Sequence, residues 1–242
     1  MVSFDRVADE YAAGRPTHPD EVFDALEPLA GRVVLDGGAG TGIATRALLD
    51  RNASVVPFDI GSSVLRKAIE RTPGLMAVVA DGAQLPFRDE CADLVCFAQS
   101  WHWLDPTSRV HEAARVLREG GRWAGWWSHA RADGDQWFDA YWDLIERVCP
   151  GVVRSRRDLD GGSELTVSGL FDVSERLTSR WIRHVEIETW LLDDRSRSFV
   201  MGLPTDRREA LLRGVRALLT ESFPEGTVVV PYETWLWIGT KR

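Results

Sequence analysis

The sequence has few cysteines, no surplus of positive charge and no long apolar run. Its three cysteines, Cys91, Cys96 and Cys149, are odd in number and lack C-x-x-C spacing, so neither a disulfide framework nor a zinc site is indicated. The formal charge of −8 gives no general attraction to a phosphate backbone or an anionic membrane. No terminal block of Lys and Arg offsets it, and neither nucleic acid nor membrane is expected as a partner. No segment approaches the ~18 consecutive apolar residues of a membrane span, and Met-Val-Ser-Phe-Asp-Arg lacks the basic start and apolar run of a signal peptide. A cytoplasmic location is the expectation. No cluster of His, Asp and Glu has metal-ligand spacing, so no metal is expected, and internal repeats are also missing.

What is present is 242 residues, 44% hydrophobic and 27% charged, which suits one domain with a large core and a small cap. From residue 32 onward, short apolar runs alternate with helical patterns. Arg32 to Asp36, Ser54 to Asp59, Leu75 to Ala80, Asp93 to Ala98 and Arg122 to Ser128 read as buried parallel strands. Ile43 to Arg51, Ser63 to Arg71 and Ser108 to Arg118 read as helices, and Gly120-Gly121 supplies a stop. Repeated βα units imply an α/β fold with a doubly wound parallel sheet. Beyond Ser128 the reading is a helix over Asp135 to Val148 and a mobile loop over Pro150 to Gly169. A strand near Trp181 to Leu191, a helix over Thr205 to Ser222 and a final strand over Val228 to Ile238 follow.

The strongest local signal is Val33-Val34-Leu35-Asp36-Gly37-Gly38-Ala39-Gly40-Thr41-Gly42, a strand that runs into a glycine turn and then a helix. A dinucleotide fingerprint starting at Gly38 would need glycine where Ile43 stands, and no Lys-Ser or Lys-Thr follows as in a phosphate-binding loop, which disfavours nicotinamide and ATP. Seventeen positions after Gly42 the second strand ends in Asp59, where a carboxylate can accept from both hydroxyls of a ribose, with Ile60 beside it to pack on adenine. The third ends in Ala80-Asp81-Gly82, where Asp81 can accept from an adenine amino group. Three strand ends therefore point to one nucleoside ligand at the carboxyl edge of the sheet.

With these residues the chain resembles the class I S-adenosylmethionine-dependent methyltransferases, especially the small-molecule group that includes the trans-aconitate-type enzymes. The resemblance spans roughly Phe4 to Gly125. It also draws on Phe4-Asp5-Arg6-Val7-Ala8 with Tyr11 and Arg15-Pro16, on Gln99-Ser100-Trp101-His102-Trp103, and on Ala114-Arg115-Val116-Leu117-Arg118-Glu119-Gly120-Gly121. It implies a Rossmann-like, mostly parallel sheet of seven strands with an antiparallel last strand. It implies S-adenosyl-L-methionine as cofactor, with S-adenosyl-L-homocysteine as product. Asp36, Gly38, Gly40, Asp59, Ile60, Asp81, Gly82 and Gln99 would line its pocket, and Tyr11 and Arg15 would close over it. Gly37 departs from the family pattern, where that position is usually larger and apolar, and looser packing under the turn is expected. The implied layout is a single methyltransferase domain over 1–242: N-terminal lid helices over 1–30, cofactor core over 31–130, cap or acceptor loop over 131–180, and closing strands and helices over 181–242.

Methyl transfer is an in-line displacement in which positioning supplies much of the rate, and a general base is needed only for a protonated acceptor. His102 and His129, each read as lying just beyond a strand, are the candidate bases because imidazole titrates near working pH. The acceptor is expected to be a small molecule, methylated on a hydroxyl with help from one of these histidines. Carboxylate methylation, which needs no base and would use a cation such as Arg15 or the loop's Arg154, Arg156 or Arg157, is the alternative. A catalytically silent cofactor-binding interaction protein is a third. The expected state is monomer or homodimer. Trp123 with Trp127 and Trp235 with Trp237 share strand faces and read as core, whereas Trp101, Trp103, Trp126 and Trp137 read either as acceptor walls or as a hydrophobic lid.

Overall fold

The computed structural model describes residues 17–152 and 161–242. The chain divides into two compact units. The larger comprises residues 17–128, 161–179 and 234–242, and the smaller comprises 129–152 and 180–233.

The larger unit is built on βα repeats: α1 (Asp20–Asp24), β1 (Val33–Gly37), α2 (Ile43–Asp50), β2 (Ser54–Asp59), α3 (Ser62–Arg71), β3 (Val78–Val79) and β4 (Ala92–Ala98). A 3-10 turn (Trp101–Trp103), α4 (Arg109–Val116) and β5 (Leu117–Ala130) come next. After α5 (Gln136–Val148), which belongs to the smaller unit, come α6 (Ser163–Ser168), β6 (Phe171–Val173) and β7 (Leu177–Glu186). The chain ends with α7 (Ile187–Arg195), α8 (Ser198–Met201), α9 (Thr205–Ser222) and β8 (Thr227–Lys241).

The sheet runs β3-β2-β1-β4-β5-β8-β6, with β7 pairing β8. β1 pairs parallel with β2 and β4, β2 with β3, and β4 with β5, whereas β6 and β8 are antiparallel. Among the described residues the sheet has eight strands and not the expected seven. The extra strand, β6, follows just after the stretch over Pro150 to Gly169 that reads as loop. Within that stretch α6 occupies Ser163–Ser168. The third strand is also much shorter than read, two residues instead of six.

Period-two alternation sorts the strand residues onto the two faces. Leu35, Val95, Phe97, Trp123, Trp127, Trp235 and Trp237 share one buried cluster with Val110, Ala113 and Ala114 of α4 and Leu165 of α6. Val34, Val55, Leu94, Cys96, Ala124, Trp126 and Leu236 share the other with Val22 and Phe23 of α1 and Ala44 and Leu48 of α2. Covering both faces explains why these strands read as continuous apolar runs. The four tryptophans expected in the core are buried there.

The smaller unit buries Phe138, Tyr141 and Ile145 of α5 with Trp190 and Leu191 of α7 and Leu211, Leu212, Val215 and Leu219 of α9. The region read as a strand to Leu191 stops at Glu186 and turns into α7. Arg183 pairs with Asp193 at 3.4 Å, Arg197 with Asp194 at 3.0 Å, and the Tyr141 hydroxyl donates to Asp194 at 2.7 Å. Burial pushes the Asp194 carboxyl up to about 6, against the opposing pull of Arg197 and Tyr141.

Candidate active site

The turn from β1 into α2 places three glycines in the left-handed region, Gly38 at φ +62°, Gly40 at +55° and Gly42 at +77°, where a side chain is strained. At Gly38 space is also lacking, since a Cβ would stand 2.4 Å from the Ser100 Cβ. The Ser100 hydroxyl donates to the Gly37 carbonyl at 2.6 Å, so the segment after β4 grips the turn. Gly37 does not loosen the packing as expected. A Cβ there would come within 2.3 Å of Phe97 and 2.6 Å of Phe58, and these two rings, edge to face with centroids 6.1 Å apart, occupy the room below the strand.

Asp36 lies beneath the turn, fully buried. Its carboxylate accepts from the Thr45 hydroxyl at 2.5 Å and from the Cys96 thiol at 3.8 Å. Burial pushes this carboxyl up to about 7, nearby Asp59 adds to the effect, and the Thr45 hydrogen bond opposes it. Asp36 thus ties β1 to the first turn of α2, supporting the glycine turn from inside.

Asp59 stands at the end of β2 and joins two backbone segments. One carboxylate oxygen accepts from the Gly40 amide at 2.9 Å and the other from the Gly61 amide at 2.8 Å. A carboxylate offers about four acceptor positions, so two amides and a diol fit on one group. Ile60 beside it is exposed, with 59% of its surface accessible. The Ala80 amide donates to the Asp59 carbonyl at 3.0 Å, which sets the end of β3 alongside. Asp81 is exposed, and its side chain accepts from the Ala83 amide at 2.9 Å, closing a local turn. Gly82 leaves room for Leu104, whose Cδ2 would stand 2.4 Å from a Cβ there.

Gln99 follows β4 with φ +57°, a left-handed conformation held by its amide donating to the Trp126 carbonyl at 2.9 Å. His102 lies in the 3-10 turn, half-buried, with its ring 4.9 Å from that of Trp103. The Trp127 indole N–H donates to His102 Nδ1 at 3.1 Å. The turn is clamped from α6: Trp101 Nε1 donates to Glu164, Arg109 pairs with Glu164 at 2.6 Å, and Arg109 also donates to the Trp101 carbonyl at 2.9 Å.

Asp36, Gly38, Gly40, Asp59, Ile60, Asp81, Gly82, Gln99 and His102 are therefore all carried by the larger unit, at or just after the ends of β1 to β4. His129 lies within β5 and not beyond it, because that strand runs on to Ala130, and it belongs to the smaller unit. Tyr11, Arg15, Arg154, Arg156 and Arg157 lie outside the described residues. Of the four tryptophans read as walls or lid, Trp101 and Trp126 are core and Trp137 packs on Trp190 and Phe223, leaving Trp103, 60% exposed. Sequence reasoning missed Thr45, Ser100, Arg109, Trp127 and Glu164, whose partners lie 8 to 63 residues away along the chain.

The family model described as a methyltransferase domain matches residues 35–124. An uncharacterized methyltransferase of Mycobacterium tuberculosis is 33% identical over 218 residues, covering 90% of this chain and 86% of that protein. The chain belongs to the class I S-adenosylmethionine-dependent methyltransferases. A malonyl-[acyl-carrier protein] O-methyltransferase of Herminiimonas arsenicoxydans is 35% identical over 127 residues, 50% of this chain and 48% of that protein. A solved structure from Anaeromyxobacter dehalogenans, provisionally described as a type II methyltransferase, superposes with a TM-score of 0.68 at 22% identity, covering 94% of this methyltransferase and 97% of that chain. This likeness is one of fold.

Proposed function

We propose that this methyltransferase binds S-adenosyl-L-methionine over the β1–α2 glycine turn and methylates an oxygen of a small-molecule acceptor. The observation that carries the reading is the Asp59 carboxylate, fixed by the Gly40 and Gly61 amides where β1 and β2 end side by side. A diol-binding acid needs that rigidity, and a loose surface aspartate would not have it. Ile60 is exposed beside it to cover adenine, and the Asp81 and Gly82 turn with Gln99 completes the rim. When bound, the cofactor supplies a methyl group on a cationic sulfur. The residues here bind and orient it, and Asp36 holds the turn from below.

Oxygen as the accepting atom is supported by the relative named for O-methylation of malonyl-acyl carrier protein. A hydroxyl acceptor would call on His102 or His129 as base, whereas a carboxylate would need none. Calorimetric titration with S-adenosylmethionine, S-adenosylhomocysteine, NAD and ATP tests the cofactor, and selective binding of the first two is expected. Folded protein that ignores all four would overturn the reading. Radiolabelled cofactor offered with matched carboxylic acids and alcohols then tests the acceptor, because only a methyl ester releases its label in mild base.

A further inference from the structure

We infer that Trp127 is a positioning residue that fixes His102 as its Nε2–H tautomer, so that His102 serves the acceptor as a hydrogen-bond donor and not as a general base. An indole nitrogen only donates. The ring atom facing it, His102 Nδ1 at 3.1 Å, must therefore carry a lone pair, and the single proton of the neutral imidazole then sits on Nε2. A base needs the opposite arrangement, an unoccupied lone pair aimed at the proton to be taken.

The indole is itself held in place. Trp127 is buried on β5, meets the Trp237 ring edge to face at 5.5 Å, and is backed by Gly161, where a Cβ would stand 2.6 Å from its Cζ3. The histidine is held from its own side by the Glu164 and Arg109 clamp on the neighbouring Trp101. Two residues before it, Ser100 grips the Gly37 carbonyl, so the His102 turn and the glycine turn are one connected piece.

The consequence for substrate class rests on the function proposed above. With His102 removing no proton, the acceptor that fits this arrangement is one whose oxygen is already anionic, as a carboxylate is near neutral pH. One carboxylate oxygen attacks the methyl carbon, the carbon–sulfur bond breaks, and sulfur keeps the electron pair. The products are a methyl ester and neutral S-adenosylhomocysteine, and no proton moves. A donor on the non-reacting oxygen orients the group without tying up the nucleophile.

The test begins with nitrogen-15 spectra of imidazole-labelled protein, His102 being assigned by its loss in His102→Gln. Nδ1 at the unprotonated end of the range and Nε2 at the protonated end are expected in the wild type, with an Nδ1–H population appearing in Trp127→Phe. An Nδ1-protonated ring in the wild type overturns the inference even if the variant fails to fold, as does an unchanged tautomer in a folded variant. With the carboxylic acids of the panel, His102→Ala should raise KM about tenfold and leave kcat within about threefold, and His102→Gln, which keeps an N–H, should recover most of the loss. A fall in kcat of about a hundredfold or more in both variants would show a base. If no carboxylic acid is methylated while the tautomer is found as expected, the acceptor reading fails and the role of Trp127 stands.

Discussion

Asp59 and Gln99 show how single residues at this edge are held by the backbone around them. Asp59→Ala removes the acceptor of two backbone amides together with the proposed ribose contact. Affinity for S-adenosylmethionine should fall by about 1.5 to 3 kcal/mol in calorimetry, the range for a hydrogen bond to a charged group. Unchanged affinity in a folded variant would remove Asp59 from the pocket. Gln99 has a left-handed backbone that costs a non-glycine residue about 1 kcal/mol. Gln99→Gly should therefore raise thermal stability while weakening cofactor binding, a pair of changes that one melting series with and without S-adenosylhomocysteine would separate. The placement of the glycine turn, Asp59 and Asp81 at or just after successive strand ends was legible in the sequence, because each follows a short apolar run. The support given by Asp36 from below was not legible. Whether a carboxylate points at ligand or into the first turn of α2 depends on where Thr45 comes to rest, which no local pattern encodes.

Among the elements, α6 shows how a segment without a strong local pattern is placed by distant partners. Its composition reads as loop, yet Leu165 enters the sheet core and Glu164 receives both the Trp101 indole and the Arg109 guanidinium. Glu164→Ala should cost about 1 to 3 kcal/mol in chemical denaturation, because it strands two donors in a partly buried place. Glu164→Gln should cost less, and equal stability of all three proteins would show the clamp to be idle. The helices α2 to α4, α5 and α9 were predicted to within about two residues, since each has apolar residues at helical spacing facing a covered surface. The reading failed at α7. Val185 and Ile187 alternate as in a strand, but Asp193 and Asp194 of α7 are buried against Arg183, Arg197 and Tyr141, partners from other segments that the local pattern does not show.

For the molecule as a whole, the buried titratable groups pull stability in opposite directions with pH. Asp36 and Asp194 are raised from an ordinary value of 3.8 to about 7 and about 6, so the folded state holds protons that the unfolded chain has released. Their stabilisation is complete below the unfolded value and is lost as pH rises through the folded ones. His18 is lowered by burial from 6.5 to about 4, so its contribution is complete above 6.5 and is lost as pH falls towards 4. Asp36→Asn should accordingly gain on the wild type by about 1 kcal/mol per unit as pH rises from about 5 to 7, measured by denaturant titration. A difference that stays constant across that window would mean that Asp36 is ionised throughout.

The position of β8 in the sheet has a consequence for biosynthesis. The strand order sets β8 between β5 and β6, and its Trp235, Leu236 and Trp237 are buried in the two cores of the larger unit. A ribosome that has delivered every other strand has still not supplied the piece that covers Trp127. The nascent chain must keep an unpaired edge and an aromatic face exposed until β8 has been made, which is the state in which chains aggregate or engage chaperones. Non-local pairing of this kind also slows folding. Losing β8 would therefore damage far more than its share of the length, because native structure in this unit is completed only once that strand is in place.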